Sequence, residues 1–553
     1  VFRFALVPAV ALLAASCANP GSDMPSAPRS SSPPVVETRA GKLQGRAEGT
    51  LNVFQGIQYA AAPVGESRWK PPAPAAAWSG VREATAYGPA CVQPTRKVAS
   101  IYANDIGKTS EDCLTLNVWA PAGADAAPVF VWIHGGALAY GSSRESYYDG
   151  ARMAGRGLVV VTINYRLGVF GYLAHPALGA ESALGISGNY GLQDQIAALR
   201  WIQANIGAFG GDPANVTIAG ESAGGLSVMY LMAAPDARGL FSKAIAQSAY
   251  MISMPTLKEA KSGEFAAEQI GAFLAAKLQA ADIAGMRAMD AQALADAAAG
   301  AGYSPFGNID GHTLKAQLIE VFERGEQAPV PLLAGFNSGE IRSLLFLAPP
   351  APATSEAYES VVRDRYLDLA DEFLRIYPSA DMKESILATT RDALYGWTAE
   401  ALVKHQTALG QPAYLYYFDH GYPAADDAGL HGFHAGEMPY MFGTFDHTPP
   451  LWPKNPATPA EHAYADAMLD YWTSFARTGQ PRAAKAPDWP AYGTSRDYMW
   501  FSESPQPANH LLPGMFELHD EAVRRRRTSG VLPWNRNVGV ISPPLPRAAA
   551  AGQ

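Results

Sequence analysis

Three cysteines in 553 residues are too few for a disulfide-held scaffold, and charged residues at 17% are too few for a disordered chain. Positive charge is not in excess either. Fifty-one Asp and Glu against 42 Lys and Arg leave a net charge of −9 at pH 7, which argues against nucleic acid as a partner. The one basic run, Arg524 to Arg527, reads as a solvated surface segment. No internal repeat occurs, and no Pro-, Gly- or Ser-rich linker separates two hydrophobic patterns between Val35 and Trp534. A length prior of about 150 residues per domain would allow three or four domains. The unbroken pattern instead predicts one large domain over residues 35–537, with hydrophobic residues at 48% supplying its core. The apolar run from Phe4 to Ala15 is shorter than the roughly 20 residues that a membrane-spanning helix needs.

That run, preceded by Arg3, reads as a signal peptide over residues 1–17 and is set apart from the fold. Leu12-Leu13-Ala14-Ala15-Ser16-Cys17 resembles a bacterial lipoprotein box, in which Cys17 becomes an acylated first residue; ordinary cleavage near Ala18 is the competing reading. Residues 18–34 follow as a Ser- and Pro-rich flexible tether, and residues 538–553 read as a disordered tail. The expectation is an exported protein: periplasmic, anchored to the outer membrane through Cys17, or secreted. In an oxidising compartment Cys91 and Cys113 are expected to bridge, closing a loop worth about 3 kcal/mol in the chain-entropy model. Lipidation would account for the remaining Cys17.

Short apolar runs alternate with longer helical patterns, which predicts an α/β fold: a mostly parallel sheet with helices on both faces. The predicted strands are Leu114–Trp119, Val129–Ile133, Leu158–Ile163, Val216–Ala219, Lys243–Gln247, Val330–Ala334 and Tyr414–Phe418. Leu192, Ile196, Leu199, Ile202 and Ile206 repeat at helical spacing, as do Ala465, Met468, Leu469, Trp472 and Phe475; both stripes read as core packing. Val35 to Ala60 alternates like antiparallel hairpins at one sheet edge. Residues 257–305 and 354–410 read as a helical cap over the carboxyl edge, where open α/β sheets bind ligands.

Chemistry concentrates in Gly220-Glu221-Ser222-Ala223-Gly224-Gly225, between a strand-forming run and a helix-forming run. A serine on such a sharp strand-to-helix turn projects its hydroxyl above the sheet. The flanking glycines are needed because side chains there would strike neighbouring elements. A serine nucleophile needs a base, most often histidine, and an acid to orient it. The base candidates are His434 and His431, in the glycine-rich loop after the strand at 414–418; sequence alone divides them about two to one. Glu340, after the strand Val330–Ala334, is the candidate acid, although a solvated loop residue is the commoner fate of a glutamate there. The amides of the His134-Gly135-Gly136-Ala137 turn and of Ala223 are placed to converge on one oxygen. His134 itself reads as structural.

Several motifs in order carry a resemblance: Glu111-Asp112-Cys113-Leu114, Trp132 to Ala137, Asn164-Tyr165-Arg166-Leu167-Gly168, Gly188 to Gln195, Phe209-Gly210-Gly211-Asp212-Pro213 and Gly220 to Gly225. The chain resembles the type B carboxylesterases, the cholinesterase-like branch of the α/β-hydrolases, in the style of the bacterial p-nitrobenzyl esterases, over about residues 35–535. The resemblance implies an α/β-hydrolase fold with a mostly parallel twisted sheet and a helical cap. It implies Ser222 as nucleophile, Glu340 as acid and His434 as base. His434 is preferred over His431 because the family's base stands eight residues before a Phe-Gly pair, here Phe442-Gly443. The resemblance also gives Gly136, Ala137 and Ala223 as oxyanion donors, Cys91–Cys113 as a disulfide, and Ser248 as a supporting serine behind the site. Two positions depart from the pattern: Ala249 and Ile341 stand where glycine is usual. The loop between Cys91 and Cys113 lacks the tryptophan that holds quaternary ammonium in cholinesterases. Tyr102 is its only aromatic, so a choline ester specialist is not expected.

The reading is a serine carboxylic ester hydrolase working through an acyl-enzyme on small to medium, largely neutral esters. It calls for no metal or organic cofactor and no nucleic acid partner. Its activity should rise with pH as His434 loses its proton, at about pH 6–7. An amidase, carbamate or lactone hydrolase would use the same machine, and a non-catalytic binding protein on this fold is the remaining rival.

Overall fold

The central strand runs are apolar at nearly every position rather than at alternate ones, and both of their faces are covered. The computed structural model describes residues 33–261, 263–530 and 533–547. The signal segment 1–17 with Cys17, and nearly all of the tether, lie outside the described residues. From Pro34 onward the chain is one compact unit.

Its main sheet has 11 strands. In chain order they are β1 (Arg46–Glu48), β2 (Leu51–Gln58), β3 (Thr115–Pro121), β4 (Ala127–Ile133), β5 (Val159–Ile163), β6 (Gly211–Glu221), β7 (Lys243–Gln247), β8 (Leu332–Asn337), β9 (Ala413–Phe418), β10 (Asp497–Phe501) and β11 (Pro505–Asn509). Their order in space is β11-β10-β9-β8-β7-β6-β4-β5-β3-β2-β1. Neighbours from β10 through β5 pair in parallel. The joins at the two edges are antiparallel. A separate three-stranded sheet joins Val35–Glu37, Lys42–Gln44 and Val81–Glu83, so the expected N-terminal hairpins divide between two sheets.

Four helices settle the two faces: α1 (Tyr190–Asn205), α2 (Ala223–Ala233), α3 (Trp397–Ala408) and α4 (Pro459–Thr478). Val129, Val131 and Ile133 of β4 share a core with Leu192 and Leu199 of α1 and Leu226 of α2. Phe130 and Trp132, pointing the other way along the same strand, share a second core with Met468, Trp472 and Phe475 of α4. Chain order reverses around β4, whose spatial neighbours are β5 and β6. Such a reversal marks the carboxyl end of β4, where the His134 turn begins, as the place where open α/β sheets bind ligands.

Arg166, just beyond β5, holds this end to α1. Its Nε and Nη2 each donate at 2.8 Å to the Asp194 carboxylate, which also accepts the Arg166 backbone amide at 3.0 Å. Both side chains are almost wholly out of water.

Several expectations change on folding. Helix α3 lies on β8 and β9, so the C-terminal part of 354–410 covers the sheet face and only the earlier helices belong to the cap. Residues 538–547 are not a disordered tail. Gly539–Ile541 forms a short 3-10 turn, and Val540 and Leu545 bury against Tyr358, Tyr366 and Phe373. The basic run is not a solvated face either. Arg526 is fully buried against the Asn537 side chain and the Pro543 carbonyl, Arg525 pairs with Asp368, and Arg524 and Arg527 pair with Glu521 and Glu323. Two strands are not among those predicted: β11, a half-exposed edge strand that tolerates polar residues and proline, and β10 beside it, a short aromatic-rich run paired on both sides.

Asp194→Asn would leave Arg166 charged, buried and unpaired, which costs about 3–5 kcal/mol. Urea unfolding of the variant beside wild type should show a loss of that size, and an unchanged midpoint would contradict it.

Candidate active site

Ser222 sits between β6 and α2 with φ 58° and ψ −121°, a left-handed conformation rarely adopted by a residue with a side chain. Such strain costs on the order of 1–3 kcal/mol and persists only where surrounding packing imposes it. Here the packing is very close. A Cβ on Gly224 would lie 2.1 Å from the Ile133 carbonyl oxygen, and one on Gly220 would lie 2.5 Å from the Gly224 backbone. The Ser222 amide donates to the Gln247 carbonyl of β7 at 2.9 Å, and its own carbonyl accepts from Leu226 inside α2. The residue is thus pinned from the sheet and from the helix. Its hydroxyl forms no hydrogen bond among the described residues and remains partly exposed.

The turn after β4 lies directly over this serine: a Cβ on Gly135 would come within 3.2 Å of the Ser222 Cβ. Gly136, Ala137 and Leu138 all have positive φ, at 103°, 57° and 57°. The Gly136 carbonyl is taken up by Ala139 and Tyr140, while the amides of Gly136, Ala137 and Ala223 find no acceptor among the described residues. His134 stacks on Tyr165 at 4.6 Å and contacts the Gly135 carbonyl with Nδ1. Burial lowers its pKa to about 4, which suits a neutral structural ring.

Glu340 opens a single 3-10 turn beyond β8. It is fully buried; one carboxylate oxygen accepts the Asn337 amide at 2.8 Å and the other meets Nδ1 of His434. The loops that carry the two residues are stapled together. Gly339 donates to the Gly432 carbonyl at 2.7 Å, and the Asn337 side chain donates to the Phe433 carbonyl at 2.8 Å. His431, the rival base, turns elsewhere: it pairs with Asp426 at 2.7 Å and Asp419 at 3.3 Å, and these carboxylates hold its pKa up at about 9.

The other ring nitrogen of His434, Nε2, is 3.1 Å from the Glu221 carboxylate. No hydrogen bond joins it to Ser222, the very next residue; hydrogen bonds of this kind are often long before substrate binds. Burial pulls the His434 pKa down, but the facing carboxylates of Glu221, Glu340 and Glu437 outweigh it and leave it raised. Burial in turn pushes Glu221 up, against the opposing pull of His434. Glu437 is fully buried and accepts from Asn337 at 2.6 Å, Gln247 at 2.9 Å and Tyr416 at 3.3 Å. Gln247 in turn accepts from the Trp472 indole, tying the cluster to α4.

Neither Glu221 nor Glu437 is assigned a role from sequence. The available signal is position: a carboxylate at the end of an apolar strand, and another three residues beyond the candidate base. Ser248 has φ 42°, donates its amide to the Gly335 carbonyl at 2.8 Å, and buries a hydroxyl with no partner among the described residues. Cys91 and Cys113 are bonded to each other. Among the described residues no three His, Cys, Asp or Glu side chains are grouped as a metal ion requires.

Gly224→Ala should abolish folded, soluble protein or release the Ser222 conformation, since Ile133 is backbone and cannot yield. Circular dichroism and expression yield test this, and a variant that folds and works as wild type would contradict the packing argument.

The family model described as "Carboxylesterase family" matches residues 32–515. The chain is 36% identical to para-nitrobenzyl esterase of Bacillus subtilis over 471 residues, covering 83% of this chain and 92% of that protein. It is 34% identical to fumonisin B1 esterase of Sphingopyxis macrogoltabida over 489 residues, covering 86% and 88%. Among solved structures, a PNB esterase superposes with TM-score 0.76 at 32% identity, over 88% of this chain and 99% of that one. A Geobacillus stearothermophilus carboxylesterase does so with TM-score 0.76 at 34% identity and the same coverage. The sheet order, the strained serine turn and these likenesses agree: the chain belongs to the carboxylesterase family, with the α/β-hydrolase fold, and is a carboxylic ester hydrolase.

Proposed function

We propose that Ser222, His434 and Glu340 form the catalytic triad, and that the substrates are small to medium, largely neutral esters. The observation that carries this reading is a strained serine lying beneath three amides that have no other acceptor, beside a buried histidine–carboxylate pair. His434 takes the hydroxyl proton as Ser222 attacks the ester carbonyl carbon. The amides of Gly136, Ala137 and Ala223 donate to the former carbonyl oxygen as it takes on negative charge; losing one such donor typically costs about 3 kcal/mol. His434 then returns the proton to the departing alcohol. A water activated in the same way releases the acid and regenerates Ser222.

The surroundings support neutral substrates. Tyr395 stands 5.4 Å from the His434 ring, and Tyr250 packs edge-on to Tyr395 at 6.1 Å. These rings make the surroundings of His434 largely apolar, while Glu221, Glu340 and Glu437 disfavour an anion close to the base. Export, with Cys17 as a lipid anchor, belongs to the same reading and rests on the sequence of residues 1–17.

Hydrolysis of p-nitrophenyl butyrate, run beside Ser222→Ala and beside the matching anilide, tests the assignment. Turnover of the ester should vanish in the variant, and the anilide should be the poorer substrate. Persistence of turnover in Ser222→Ala would remove the nucleophile assignment.

The base acts only when deprotonated. Because facing carboxylates raise its pKa, the acid limb of kcat/KM should lie above the ordinary histidine value of about 6.5. Glu221→Gln removes the charge at Nε2 and should move that limb to lower pH. A limb that stays in place would exclude Glu221 as the cause.

A further inference from the structure

The excursion closed by Cys91 and Cys113 reaches the base through one side chain. Tyr102 Oη lies 2.9 Å from the backbone carbonyl of His434 and 2.7 Å from Ser343 Oγ. A carbonyl can only accept and a phenol has one proton, so the Tyr102 hydroxyl donates to His434 and receives the Ser343 hydroxyl. Ser343 follows directly on the 3-10 turn that begins at Glu340. A single phenol oxygen therefore joins the excursion, the turn of the acid and the backbone of the base.

Three facts make this bond more than packing. Among the described residues Tyr102 is the only donor to the His434 carbonyl. The next residue, Ala435, has φ 63°, so the peptide between them sits in a strained turn whose orientation needs fixing. The tyrosine is itself held from outside the site. Its ring packs edge-on to His434 and to Trp452, with centroids 6.3 and 6.0 Å away. Its loop is anchored by the disulfide, by the Thr95 amide on Asp296 at 2.6 Å, by Gln292 on the Gln93 carbonyl at 3.0 Å, and by Asn104 on Ser146 at 3.0 Å.

We propose that Tyr102 is a positioning residue for His434: its phenol fixes the His434–Ala435 peptide and thereby the ring orientation in which Nδ1 meets Glu340. The inference rests on the triad reading above. It also assigns the excursion a task in the chemistry, where a cholinesterase would use the same loop to hold a cation.

The groups facing the His434 ring are Glu340 at Nδ1, Glu221 at Nε2, the nearby Glu437 carboxylate, and the Tyr102 and Tyr395 rings. Tyr102→Phe leaves all five in place and deletes only the hydroxyl. Misplacing a reacting group by about 1 Å can cost up to 100-fold, so a partial loosening should lower kcat by about tenfold. KM for a small ester should hardly change. A looser Nδ1 contact stabilises the imidazolium less, so the acid limb should fall by about half a pH unit. Ser343→Ala keeps the bond to the His434 carbonyl and should lose less than Tyr102→Phe.

The experiment measures kcat, KM and the pH profile on p-nitrophenyl butyrate for wild type, Ser222→Ala, Tyr102→Phe and Ser343→Ala, each with a melting curve. A fall in kcat and a shifted limb at unchanged melting temperature support the inference. A Tyr102→Phe enzyme with wild-type kcat and limb overturns it alone, provided Ser222→Ala is dead. A fall in kcat that follows the melting temperature with no shift of the limb also overturns it, since that is a merely structural role. Activity that survives Ser222→Ala overturns the triad reading and the inference with it.

Discussion

The backbone of Ser222 is the point on which the rest of the site depends. Its left-handed conformation is uphill by on the order of 1–3 kcal/mol, and local sequence alone would let it relax. It is kept there because β6, β4 and α2 approach one another so closely that only glycine fits at 220 and 224. That approach requires a parallel sheet with both faces packed, where each large buried apolar side chain contributes roughly 1.5–3 kcal/mol. The two cores that meet on β4 supply many such residues, so the strain at one serine is easily sustained.

Around that serine the protein gathers carboxylates that water would otherwise hold apart. Glu221, Glu340 and Glu437 are all buried around one imidazole, and their surroundings differ. Glu340 is held by a backbone amide and His434 and Glu437 by three neutral donors, while Glu221 lies 3.1 Å from His434 Nε2 without a hydrogen bond to its buried Oε1 among the described residues. An unpaired buried charge costs several kcal/mol, so the charge on His434 and the charges around it are interdependent.

Legibility from the sequence followed the range of the interactions. Strand β7 is read to the residue and β4, β5 and β9 to within two, because a central parallel strand advertises itself as an apolar run. The edge strand β11, Pro-Gln-Pro-Ala-Asn, carries no such signature. Arg525 and Arg526 look like solvent-facing charge until Asp368 and Asn537, distant or across a turn, are brought to them. Val540 and Leu545 look like tail until the pocket formed by Tyr358, Tyr366 and Phe373 exists to receive them. In the site, the Gly-Glu-Ser-Ala-Gly-Gly turn is local and legible. The separation of His434 from His431 is not, because it turns on which carboxylate each ring meets.

The sequence alone determined the α/β class, the position of the strained serine, the amide-bearing turn after β4 and the family. Each of these is signalled by a short segment of sequence, although the strain at Ser222 is sustained by the packing of β4, β6 and α2. Tertiary structure alone decided that His431 belongs to Asp419 and Asp426, that Glu221 and Glu437 face His434, and that Tyr102 reaches the His434 backbone. Those contacts join residues up to 332 positions apart. Such pairs are fixed only when the sheet closes its strand order and the low-dielectric interior makes each buried polar group find a partner.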